Sequence, residues 1–401
     1  MLYIMNITQL VLPLITLPYL TRVLSVDGYG VVSYVKSIII YATLVIEFGF
    51  LLSATREVVK VKNDPHKLGL VIGRTTVAKL MLSLVAFVIL LVMTMMIPLL
   101  RRHVAFTLLS FGAPFFSIFL FDYLFRGLER MELITYRFLI MKGTSTVLTF
   151  LFIKGDHQLL LIPLFDMISS LLAVIWIYLC MRKLGIHIYF DSFRNVWKSL
   201  RVSSIYFLSD MAGTAFGALN TLVVGIYLTT ADVAYWGILS TLIAAVQTMY
   251  SPVCDGIYPH MIQTKSFRLL TNVILIFIPL LLIGGCITFF GARIIMLIIG
   301  GHKYTIAAPY LQACVPILII TFFSNIFGWP ALGAIDKVRE NTTTTMIAAA
   351  IEVLGLGFMA VTGNVSLLGV IVVRMVSELV MAITRLGFIY NFRSLFVYGR
   401  L

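Results

Sequence analysis

Charge is scarce in this chain: Asp, Glu, Lys and Arg together make up 12% of its 401 residues, about half of the roughly 25% usual in soluble domains. Long polar stretches are missing too. The longest, 181–201, is too short for a soluble catalytic or nucleotide-binding domain. The four cysteines, Cys180, Cys254, Cys286 and Cys314, lie in or at the ends of apolar runs and none is paired at metal spacing. The six histidines are scattered through loops and run ends, and no Walker A, HExxH or GxSxG sequence occurs. These absences exclude the common catalytic constellations. No catalytic residue, metal or cofactor is expected, and the chain is not expected to be an enzyme.

What is abundant is apolar surface, at 60% of residues. About 20 mainly apolar residues cross a bilayer as a helix, and helices are the default because each satisfies its own backbone. Twelve such runs are read at about 3–23, 29–53, 71–99, 104–124, 132–153, 158–180, 202–228, 231–253, 269–289, 306–330, 341–361 and 366–390. The expected class is therefore an all-α integral membrane protein. The first run begins almost at Met1 with no basic region before it, so it is expected to be a span and not a cleaved leader. With the N-terminus in the cytoplasm, the inner loops collect seventeen Lys and Arg, including Arg400, and the outer loops five. The basic excess belongs inside, so both termini are expected to be cytoplasmic. The same rule accounts for the net charge of +13 without nucleic acid as a partner.

The 181–201 stretch falls between the sixth and seventh runs. Phe193, Trp197 and Leu200 share one helical face there, and Arg194, Lys198 and Arg201 the neighbouring one. It reads as an amphipathic linker on the membrane surface between an N-terminal six-helix bundle, 1–180, and a C-terminal one, 202–401. A weak repeat relates the halves when Leu24-Ser25 is laid over Leu228-Thr229. The 290–305 stretch, with an apolar core too short to span, reads as an interfacial or re-entrant piece.

A charge near the bilayer centre costs about 2.5–3.5 kcal/mol on insertion scales, so charges inside the runs need a reason. Asp122 with Arg126, and Arg374 with Glu378 and Arg385, have the spacing of structural pairs along one helix. Arg74, Lys79 and Arg137 lie near enough to the cytoplasmic surface to snorkel. Lys36 and Glu47 are different. They share one face of the second run, about 16 Å apart along the axis at 1.5 Å per residue, and that face is expected to line a cavity. Lys142 in the fifth run, and Asp166 and Asp210 further on, are also charged inside runs, and Lys142 and Asp210 are read with that cavity. Pro13 and Pro18 in the first run, and Gly213 and Gly217 in the seventh, suit helices that bend during a change of shape.

The opening run QLVLPLITLPYLTRVLSVDGYGVVSYVKSI (9–38) resembles the N-terminal signature of Wzx-type polysaccharide flippases: a proline-containing first helix, Leu17–Leu24, then Gly28, Tyr29 and Gly30. GARIIMLIIGGHKYTIAAPYLQ (291–312) and FGWPALGAIDK (327–337) are similar to later elements of that family. The resemblance implies two six-helix bundles around a central cavity, in the superfamily that includes MATE multidrug exporters and lipid II flippases. It implies translocation of undecaprenyl-diphosphate-linked sugar units across the bacterial cytoplasmic membrane, amid membrane lipids and with a polysaccharide polymerase as a protein partner. Arg22 matches the arginine of the first-helix motif and Lys36 lies in the same run. With Lys142 they are the candidate diphosphate ligands, and Glu47 and Asp210 are the candidate coupling acids. A MATE-like cation-coupled drug exporter is the competing expectation.

Overall fold

A computed structural model describes residues 2–397, without the side chains of 2–7, 9–10, 209 and 212–216. Helix α1 (Leu2–Val23) runs unbroken through Pro13 and Pro18. Ser25 caps α2 (Val26–Glu47), its hydroxyl accepting from the Gly28 N–H. Phe48 and Gly49, both left-handed at φ 42° and 73°, end α2, and α3 (Phe50–Val61) continues the path. Asp64 caps α4 (Pro65–Met96), accepting from the backbone N–H groups of His66 and Lys67 at 3.1 Å. These bonds, that of Lys67 foremost, hold the Asp64 carboxyl below its usual range.

The next apolar segment is broken into α5 (Pro98–Arg102), α6 (Val104–Ser110), α7 (Gly112–Ser117) and α8 (Asp122–Gly127), with a left-handed Phe121 just before α8. Then α9 (Met131–Phe138), a π-helical turn (Leu139–Gly143) and α10 (Thr144–Phe152) follow one path, and α11 (Leu161–Lys183) returns. Beyond an extended stretch lie α12 (Phe193–Tyr227), α13 (Thr230–Thr264), α14 (Phe267–Gly300), α15 (Ala308–Ile326), α16 (Val338–Thr362) and α17 (Leu367–Asn391). A π-helical turn with non-helical Gly328 breaks the chain after α15. Thr229, aligned with Ser25 in the repeat, likewise caps its helix through the N–H three residues on.

Among the described residues, nine helical segments are long and apolar enough to cross a membrane. Apolar side chains are exposed along them, Ile276, Leu280, Ile283 and Phe290 on α14 for example, as expected of a face that meets lipid. Residues 1–222 and 223–401 form two compact units, the division falling inside α12. The first is centred on Phe50, Ile72, Tyr123, Phe125 and Ile177. The second is centred on Phe322, Ile326, Leu332 and Ile389.

Two expectations change. Residues 290–300 are no separate interfacial piece: α14 runs unbroken to Gly300, because Gly291 and Arg293 interrupt its composition without breaking its hydrogen bonds. Nor do 193–201 form a separate surface helix, since they are the first turns of α12. The part of the linker that is extended lies on α4. The Tyr189 N–H donates to the Gly69 carbonyl at 3.1 Å. A Cβ at Gly69 would stand 2.2 Å from the His187 carbonyl oxygen, and one at Gly73 1.9 Å from that of Tyr189. Glycine is required at both places by the close approach of another backbone.

Candidate functional site

Charged side chains gather within residues 1–222 around a cavity of about 600 Å³. Lys36, Ile40, Thr43 and Glu47 recur at helical spacing on α2 and supply one wall. The cavity is lined by four basic side chains, Lys36, Lys79, Arg137 and Lys142, and four acidic ones, Glu47, Asp122, Asp166 and Asp210. Lys36, Glu47, Lys142 and Asp210, singled out in the sequence, are thus brought to one space.

Two of the acids are delivered by breaks in their helices. Glu47 is the last residue of α2, before left-handed Phe48, and Asp122 is the first of α8, after left-handed Phe121. Each meets a buried cation: Lys79 Nζ lies 2.7 Å from Glu47 Oε2 and Arg137 Nη2 lies 2.8 Å from Asp122 Oδ2. Lys79 also sits over the Tyr123 ring, 5.5 Å from its centre. The remaining groups are less tied. Asp166 accepts from the Ser145 hydroxyl at 2.5 Å. Lys36 and Lys142 are both exposed to the cavity and form no direct ion pair among the described residues. Lys142 belongs to the π-helical turn, a local widening that re-aims side chains and recurs at functional sites.

Several expected pairings are corrected. Asp122 does not pair with Arg126 along its own helix. The turn at Phe121 aims its carboxylate at Arg137, and Arg126 is exposed. Lys79 and Arg137 do not snorkel but are buried against these acids, and Arg74 is paired with Glu57. In the second unit Arg374 does bond Glu378, at 2.7 Å, and Glu352 of the neighbouring helix joins it at 3.2 Å. Arg385 is not a rung of that ladder. It donates to the Ser324 carbonyl, beside the break at Gly328, and to the hydroxyls of Thr344 at 3.1 Å and Thr345 at 2.9 Å.

Other sequence candidates fall elsewhere. Arg22, exposed in the last turn of α1, lines neither this cavity nor the smaller one beside it. Pro13 lines the smaller one and Pro18 is half-buried in α1. Gly217 faces open space on α12, and the surroundings of Gly213 lie outside the described residues. The smaller cavity, about 330 Å³, shares Lys36, Lys142, Ile162 and Asp166 with the larger. The second unit has its own cavity of about 300 Å³, uncharged but for Glu378.

Chemically, two ammonium groups facing one space provide a seat for a diffuse or divalent anion. Acids lining the same space can exchange protons or cations. Because acids and bases balance, an incoming anion competes with carboxylates already present.

The sequence pattern of the family described as polysaccharide biosynthesis protein matches residues 1–265. A protein of Escherichia coli (strain K12) named "Putative O-antigen transporter" is 24% identical over 86% of this chain and 84% of its own length. One of the same name from Shigella dysenteriae is 22% identical over 78% and 80%. Among solved structures, the lipid II flippase MurJ in an inward closed conformation superposes with TM-score 0.75 at 16% identity, over 97% of this chain and 87% of that one. An inward-facing MATE family transporter of the MOP superfamily gives 0.74 at 13% identity, over 96% and 94%. These superpositions show a shared fold.

Proposed function

Since the chain belongs to the polysaccharide biosynthesis protein family, we propose that it is a flippase that carries undecaprenyl-diphosphate-linked oligosaccharide units across the bacterial cytoplasmic membrane for surface polysaccharide assembly. The relatives named as O-antigen transporters support that class. The observation that carries it is the charged cavity: eight ionisable side chains converge within an apolar helical unit, each at a cost of about 2.5–3.5 kcal/mol if left at the bilayer centre. Lys36 and Lys142 hold the diphosphate, while the prenyl tail stays in lipid. Arg22, at the outer end of α1, meets the head group as it leaves. Glu47 and Asp210 exchange a proton or cation as the protein changes state. Twelve spans form two six-helix bundles, 1–180 and 202–401, joined by 181–201, whose last residues already begin α12, with membrane lipids around them and a polysaccharide polymerase as the downstream partner.

Topology is tested by cysteine labelling. A cysteine at position 64 reacts only from the cytoplasm and one at 156 only from outside, and the reverse pattern would falsify the orientation. Function is tested by reconstitution. Vesicles holding the protein should move labelled undecaprenyl-diphosphate glycan between leaflets, with a rate that responds to a proton or sodium gradient. In Glu47→Gln that response should be lost. Unchanged gradient dependence in Glu47→Gln removes it from coupling, and no movement at all refutes the flippase. The balance of four acids and four bases also fits a MATE-like cation-coupled drug exporter. Export of a cationic dye, competing with no lipid-linked glycan, would favour that second reading.

A further inference from the structure

The smaller cavity of the first unit has no role in the transport reading so far. One wall is α1, where Thr8, Leu12, Thr16 and Leu20 recur every fourth residue and share a face. Another wall is α10, with Ser145, Thr146 and Thr149. Five hydroxyls therefore face about 330 Å³, interleaved with Leu12, Pro13, Leu20 and the ring of Phe138. Thr16 donates to the Leu12 carbonyl at 2.7 Å and Ser145 to Asp166. Their oxygens still accept, and a hydroxyl has two lone pairs to offer.

This alternation of hydroxyls with small apolar surfaces fits a pyranose, which has hydroxyls on its rim and C–H groups on its faces. It does not fit a prenyl chain, because the accepting lone pairs of these hydroxyls, buried against hydrocarbon, would lose water and gain no donor. The volume lies at the lower end of ligand cavities, about 300–1,000 Å³, so it suits one sugar and not a whole oligosaccharide. Position adds a further constraint. Lys36, Lys142 and Asp166 are the partition between the two cavities. In a diphosphate-linked glycan the first sugar is bonded directly to the distal phosphate. A diphosphate held at that partition therefore presents its first sugar to the space beside it.

We infer that this hydroxyl-lined cavity is the subsite for the first sugar of the lipid-linked unit, with Thr16, Thr146 and Thr149 reading its hydroxyls and Phe138 meeting its C–H face. The inference rests on the flippase reading and assigns the residues that select the glycan. Lys36 and Lys142 then serve any diphosphate carrier, whatever its sugar.

The test is binding to the full chain in lipid nanodiscs. The probes are undecaprenyl diphosphate and the same carrier bearing one glucose, galactose or N-acetylglucosamine. Wild type should bind one of the sugar-bearing forms more tightly than the bare carrier. Thr146→Val with Thr149→Val keeps shape and removes two hydroxyls. It should weaken the preferred sugar-bearing probe about tenfold and leave the bare carrier unchanged, whereas Lys36→Met should weaken both. Retained affinity for the bare carrier shows that the double variant is folded. Equal effects of the double variant on both probes, no effect on either, or no gain from any sugar in wild type overturns the subsite and leaves the flippase reading standing. If wild type binds none of the four probes, both fall.

Discussion

Lys36→Ala should abolish surface-glycan export while the protein still accumulates in the membrane. Lys36 is exposed to the larger cavity from the middle of α2 and lines the smaller one as well. It is held by no direct ion pair among the described residues, so its removal strands no buried partner. The fold should tolerate the change. What is lost is a charge-assisted contact to phosphate in a partly dehydrated site, worth about 2 kcal/mol or more, a rate deficit of about 30-fold or greater. Lys36→Arg keeps the charge but replaces a compact ammonium with a planar fork, and partial export should survive. Glycan display in a strain lacking the chromosomal gene, scored beside membrane protein level, is the measurement. Normal display with Lys36→Ala would remove this lysine from the site.

Lys79→Met should behave in the opposite way, damaging the fold before the function. Lys79 is nearly inaccessible and its ammonium meets Glu47 at 2.7 Å. Glu47 ends α2, where the helix dipole already disfavours an anion. Removing the lysine leaves that carboxylate without its counter-charge. Breaking a buried pair costs about 3–5 kcal/mol, and because a third of the Glu47 side chain borders the cavity, the lower end of that range applies. Adding Glu47→Gln to Lys79→Met should restore most of the thermal stability in detergent, since no lone charge remains. It should not restore the response to an ion gradient. A Lys79→Met protein as stable as wild type, or a double variant no more stable than Lys79→Met, would show that the pair does not hold this region together.

The apolar runs made the helical segments legible, because crossing a bilayer leaves the backbone few alternatives. Lys36 and Glu47 could be placed on one wall by helical spacing alone. The partners of the charges are less legible. The depth of a single cation does not reveal its partner, because consecutive helices form hairpins in which depth is counted from the turn. Glu47 and Lys79 are 32 residues apart with Asn63 midway. Asp122 and Arg137 are 15 apart across the turn at 129–130. Glu352 and Arg374 are 22 apart with Gly363 midway. An acid and a base equally far from an intervening turn were in the sequence to be paired. The breaks were not. Phe48 and Phe121 adopt left-handed backbones that phenylalanine seldom takes, and only packing of the folded chain selects them. Arg385 was misassigned for a related reason, since its partners are a carbonyl and two hydroxyls, groups that carry no charge pattern to follow.

The glycines at 69 and 73 bear on where this chain can be cut or tagged. By hydropathy the 184–192 stretch is the natural seam for expressing the protein as two fragments or inserting a reporter. Yet from His187 to Tyr189 its backbone is seated on α4 with no room for a methyl group on Gly69 or Gly73. An insertion there would have to lift an ordered segment from its berth, and a protease would find little slack to bind. The turns at Gly185, ahead of that contact, and at Gly363 have nothing within 4 Å of where a side chain would begin and are the more permissive seams.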